Sequence, residues 1–197
     1  MRVFGIDPGS ERTGYGCVET DGRRHRLVVC GAIATTGSAD FAARLAAIHD
    51  ALTAHLRDCQ PTVVAIESLF HAANVRSALK LGHARGVAML AAVQAGVPVV
   101  EYSPSEVKRA VVGYGRAEKG QVQQMIKLLL GLDAAPTPHD AADALAVALC
   151  HVHRLPAQAA AAAAPGSPRT GSLTSWRAYR PNPLAPARPP RRGAARS

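Results

Sequence analysis

Two short apolar runs, VFGID at residues 3–7 and TVVAIES at 62–68, each deliver a carboxylate at their end, Asp7 and Glu67. Unbroken apolar runs of this length mark strands buried on both faces, which need packed layers above and below them. An acid at the tip of such a strand must be paired, solvated or bound to a cation, because an isolated buried charge is very costly. Pro8-Gly9 follows Asp7 at once and turns the backbone away.

The pattern around these runs predicts the remaining elements. TGYGCVETD and HRLVVCGAIAT read as two further strands separated by the turn signal Asp21-Gly22, which makes an antiparallel meander of three. The period then changes, and Phe41, Leu45, Ile48, Leu52 and Leu56 fall on one helical face. A long helix is predicted over residues 74–95, a fifth strand at PVVEYS, a short helix from Pro104, another from Ala117-Glu118 to Leu130, and a last helix over AADALAVALCHVH. Three strands followed by alternating strand and helix predict an α/β fold with a mixed five-stranded sheet and helices on both faces.

Charge divides the chain. The net charge is +9, but residues 157–197 hold seven arginines and no Asp, Glu or Lys, leaving 16 basic against 14 acidic residues before them. The expected organisation is a folded domain over 1–155 and a disordered, basic Ala/Pro/Arg-rich tail over 156–197. The four cysteines show no CxxC spacing and read as reduced core thiols of a cytoplasmic protein. No run is long and apolar enough for a membrane span, and no secretory leader is evident.

Sites in α/β sheets gather at strand ends. The last helix opens with Asp140 and Asp143, which share a face at i, i+3. Singly, each of the four acids has an ordinary explanation: a helix cap for Asp140, a turn for Asp7, an arginine partner for Glu67. Together at one sheet end they repel unless divalent cations neutralise them, and all-oxygen ligation suits Mg²⁺ or Mn²⁺. Paired ions of this kind serve phosphodiester cleavage. Arg76, Lys80 and Arg85 on the long helix are candidate phosphate contacts, and Gly9, Gly14 and Gly16 leave room for a phosphate backbone.

GIDPGSERTGYG, AIESLFHAANVRSALKLGHARG, YSPSEVKRAVVGYGRAEKGQVQQM and HDAADALAVALCH resemble, in order and spacing, the signature segments of the RuvC family of Holliday-junction resolvases. The resemblance implies an RNase H-like fold, a homodimer, and a Mg²⁺- or Mn²⁺-dependent endonuclease, with two ions per site, that resolves four-way DNA junctions in recombination and repair by paired nicks of like-polarity strands. It implies that Asp7, Glu67, Asp140 and Asp143 are the metal-binding catalytic acids. Lys108 and Lys119 match lysines beside the scissile phosphate, and Phe70 matches an aromatic that contacts unstacked bases. RuvA and RuvB are the implied partners. Two other readings are a non-catalytic junction-binding module, separated by metal-dependent nicking of a synthetic junction, and an actin-like ATPase, separated by nucleotide binding. The chain is short for the duplicated halves of the latter.

Overall fold

The computed structural model describes residues 1–35, 40–68 and 74–163, with side chains to Leu155. Five strands form one sheet: β1 (Arg2–Asp7), β2 (Arg12–Thr20), β3 (His25–Ala34), β4 (Val63–Glu67) and β5 (Val99–Tyr102), in the order β3-β2-β1-β4-β5. β2 is antiparallel to both β1 and β3, whereas β4 is parallel to β1 and β5 to β4. The sheet is therefore the mixed one expected, with the two acid-tipped strands side by side.

Alternation along β1 and β4 splits the core in two. Val3, Val63 and Ala65 face one side, Phe4, Ile6, Val64 and Ile66 the other. Helices α1 (Phe41–Cys59) and α2 (Val75–Gln94) cover the Phe4 face through Ile48, Leu52, Leu56 and a row of small residues, Ala84, Ala88 and Ala91. Helices α3 (Pro104–Val112), α4 (Lys119–Leu130) and α5 (His139–Ala163) cover the Val3 face. Each fully buried Val, Ile or Leu is worth roughly 1.5–3 kcal/mol, so this two-sided burial dominates the stability of the sheet.

The helix starts follow local chemistry. Asp40 caps α1 by accepting from the amides of Ala42 and Ala43. Ser103 and Glu106 form a capping box at α3, with Pro104 in its first turn. Gln60 ends α1 in the left-handed region at φ 46°, and Pro61 follows.

Helix α5 lies unusually close to the sheet. A Cβ on Gly5 would stand 2.0 Å from the backbone oxygen of Ala144, and one on Gly14 would stand 2.0 Å from that of Asp140. Gly16 likewise faces the Leu145 side chain. This corrects the expectation that Gly14 and Gly16 leave room for phosphate: the space is taken by α5. Gly9 sits in the turn, where a Cβ would meet the backbone oxygen of Arg12.

The helix also runs further than the expected boundary at residue 155, to Ala163. The physical reason is the alanine run after Gln158, since alanine has the highest helix propensity. Residues beyond 163, the bulk of the expected tail, lie outside the described residues.

Candidate active site

Ile6 pairs with Ile66 in the parallel register of β1 and β4, so Asp7 and Glu67 are the next neighbours along those strands. The alternation that buries Val3 and Val63 puts both carboxylates on the face covered by α5. Asp143, one turn into that helix, meets them there. The three acids line an open cleft of about 290 Å³ together with Lys108 of α3 and Lys119 of α4, over an apolar floor that includes Val107, Val122 and Ala146.

Lys119 opens α4, and its Nζ lies 3.4 Å from Asp143 Oδ2. The Asp143 carboxylate is the main reason its ammonium titrates above the usual lysine range. Asp7 is pushed up to about 8, first by burial and then by the charges of Glu67, Asp143 and Asp140. Glu67 is raised too, by burial and then by Asp143, although its hydrogen bond with Asp7 pulls in the opposite direction.

Asp140 is set apart from the cleft lining. It stands at the rim toward β2, where Arg12 Nη1 lies 3.7 Å from its Oδ2. Sequence reasoning missed Arg12. Its only signal was a place five residues after Asp7, where β2 begins.

The other expected contacts separate. Arg85, a candidate phosphate contact, pairs instead with Glu101 of β5, and its side chain is only 23% exposed. Arg76 is exposed in the first turn of α2, and Lys80 is half-buried one turn later. Phe70 lies outside the described residues.

The donor set suits a hard cation. All four acids offer oxygen, and burial followed by their mutual repulsion raises Asp7 despite the nearby Lys119, so the site favours added positive charge. Among the described residues no three such groups close into a ready-made cage. The cleft is open, so an ion held by these acids would leave room for water or phosphate oxygens beside it.

A mixed sheet of this order, with carboxylates at the tips of the adjacent strands β1 and β4 and a helix adding more across them, is the RNase H-like architecture. Residues 3–151 match the family model described as Crossover junction endodeoxyribonuclease RuvC. The protein of that name from Syntrophotalea carbinolica is 57% identical over 153 residues, 78% of this chain and 94% of that one. Its counterpart from Trichlorobacter lovleyi is 50% identical over 181 residues, 92% of this chain and 100% of that one. Among solved structures, Thermus thermophilus RuvC aligns with a TM-score of 0.74 at 37% identity, covering 80% of this chain and 97% of that one. T. thermophilus RuvC in complex with Holliday junction substrate aligns with a TM-score of 0.73 at 35% identity, covering 80% and 96%. The chain belongs to the RuvC family.

Proposed function

We propose that this chain resolves Holliday junctions, with Asp7, Glu67 and Asp143 as the acids that hold divalent metal in its cleft and Asp140 completing the set from the rim. The observation that carries this reading is the convergence of Asp7, Glu67, Asp143, Lys108 and Lys119 on one open cleft at the sheet end. Mg²⁺ is the ion the oxygen donors suit best, with Mn²⁺ as a substitute and two ions per site. Asp7, Glu67, Asp143 and Asp140 would hold such ions, which would supply activation of a water and stabilisation of the leaving oxygen.

The chain's own residues do the rest. Lys119 and Lys108 bring two ammonium groups to the wall that a scissile phosphate would face, where they offset the charge that develops on its oxygens. Arg12 holds Asp140 toward β2. The apolar floor of Val107, Val122 and Ala146 leaves charged groups only on the walls. Phe70, which follows Glu67 by three residues, is the aromatic we assign to unstacked junction bases.

Pairing of the nicks calls for two sites. Val75, Leu79, Leu90 and Val93 of α2 are all at least half exposed, and a groove between Leu45 and Leu90 is floored by Gly82 and Gly86. We assign this face to a homodimer, and the cleaving protein is then expected to sediment as a dimer. RuvA and RuvB are the partners that family membership suggests, and the cytoplasm is the compartment. Among the described residues no helix is long and apolar enough to cross a membrane. The arginines after residue 163 are assigned to salt-sensitive DNA binding.

The test is nicking of a synthetic four-way junction in Mg²⁺. Symmetric cuts in two strands of like polarity support the reading. Binding without cuts by the wild-type protein in Mg²⁺ or Mn²⁺ would sink it in favour of a non-catalytic junction binder.

A further inference from the structure

The sequence marks Phe41 only as the first member of an apolar helix face. In the structure it is the centre of a cluster of cations. The Arg44 guanidinium carbon stands 5.4 Å from the ring centroid and Lys80 Nζ stands 6.0 Å from it. His83 meets the ring edge-on at 5.8 Å. Arg76 is exposed one turn before Lys80 on α2.

Among the described residues, no acid pairs with this charge. Neither α1 nor α2 has an acid in its first turn, and the Asp40 carboxylate is engaged with the amides of Ala42 and Ala43. None of the ion pairs among the described residues uses Arg44, Arg76 or Lys80, although Arg85 on the same helix has Glu101. The Nε of Arg44 is a buried donor with no hydrogen-bond partner among them. Such donors are rarely left unmade in a native state.

Topology sets where the cluster lies. The last turn of α1 is tied to the start of β1 by the bond from Arg2 to the Cys59 carbonyl, so α1 begins at the opposite end, where Asp7 lies. Helix α2 follows β4 and also begins at that end. The cluster therefore shares the sheet end of the catalytic cleft but belongs to the other face, while the cleft belongs to the face of α3, α4 and α5.

We propose that Phe41, Arg44, Lys80 and Arg76 form a second DNA contact, a phosphate clamp for a junction arm that passes over the sheet end from the cleft. The proposal rests on the reading of the chain as a junction endonuclease. The ring is not a stacking platform, because cations already occupy its surroundings. Its part is to hold two flexible side chains in register, so that less freedom is given up when they meet a phosphate. Readout is of backbone charge, independent of base sequence.

The test measures binding of a four-way junction, and of a linear duplex of the same sequence, by full-length protein in Ca²⁺ across a salt series. Removing one cation that neutralises a phosphate flattens the dependence of log affinity on log salt by about 0.9. R44A/K80A should reduce the slope by about 2 and bind the junction roughly tenfold more weakly at about 100 mM salt. F41L keeps the bulk but removes the ring, and should cost about threefold. R44K should keep the slope. R57A is the control, because Arg57 is paired with Asp58 at the far end of α1 and should change nothing. An unaltered slope in R44A/K80A overturns the proposal, as does an equal reduction in R57A, which would mean bulk charge alone. Loss of the dimer with an unchanged slope also overturns it and assigns the cluster to the subunit interface. If wild-type protein fails to bind a junction at all, the underlying reading fails instead.

Discussion

Replacing Asp7 by asparagine should abolish cleavage and yet stabilise the metal-free protein. In the native state Asp7 keeps its proton up to about pH 8, because burial and the charges of Glu67, Asp143 and Asp140 oppose ionisation. In the unfolded chain the same carboxyl ionises near 3.8. Between those values the native state binds the extra proton, so stability falls as pH rises through this window and levels off above it. At about 1.4 kcal/mol per tenfold change, the whole window corresponds to about 6 kcal/mol. The cleft is open to water and Lys119 stands beside it, which screens the charge and leaves a net effect of about 1–3 kcal/mol. Asparagine keeps the shape without the charge. Asp7→Asn should therefore match wild type near pH 4 and exceed it by that amount near pH 8. Urea unfolding in EDTA between about pH 4.5 and 8.5 reads the difference. Added Mg²⁺ should narrow it by stabilising wild type alone. A variant less stable than wild type at pH 8, or an advantage that does not grow with pH, refutes the argument that these acids are held together against their own repulsion.

Three further outcomes are expected. Gly14→Ala must displace the first turn of α5, since its Cβ would meet a backbone oxygen, and should cut the cleavage rate by about 100-fold with junction binding retained. Gly16→Ala meets the Leu145 side chain first, with that residue's backbone nitrogen only at 3.4 Å, and should lose much less; equal losses would show that α5 placement is not the cause. Lys119→Met removes the partner of Asp143 and should slow cleavage at saturating junction by about 100-fold, and a rate within twofold of wild type would exclude Lys119 from the chemistry. Glu106, held down at about 2 by Arg154 and then by Ser103, contributes stability above 4.5 that is lost as pH falls toward 2. Because this pair is partly exposed, Glu106→Gln should cost only about 0.5–1 kcal/mol at pH 7, with the difference disappearing in acid; a constant difference at all pH would point to packing instead.

What the sequence disclosed was whatever depends on near neighbours along the chain. Asp7 and Glu67 were legible because each closes an apolar run, and the helices because their apolar residues recur every three or four positions. The docking of α5 was not, because the glycines of β1 and β2 show no partner until a helix more than a hundred residues later lies on them. Arg85 illustrates the same limit: its spacing from Lys80 does not reveal that β5 brings Glu101 to it. The cluster around Phe41 joins two helices, and no periodicity within either one announces a cation from the other. The alanine run looked like low complexity, and propensity carried it into α5 as far as residue 163.

The seat of α5 on Gly5 and Gly14 also fixes when this enzyme can come into being. Asp7 and Glu67 both lie in the first 67 residues, but Asp143 arrives more than 130 residues after Asp7. A nascent chain that ends before α5 exposes the apolar sheet face of Val3, Val18 and Ala65 and holds an incomplete set of acids. The packing that covers that face also brings Asp140 and Asp143 to the sheet end. A fragment broken or stalled before residue 140 would leave that apolar face uncovered and lack both Asp140 and Asp143, and long-range closure of this kind is slow to form.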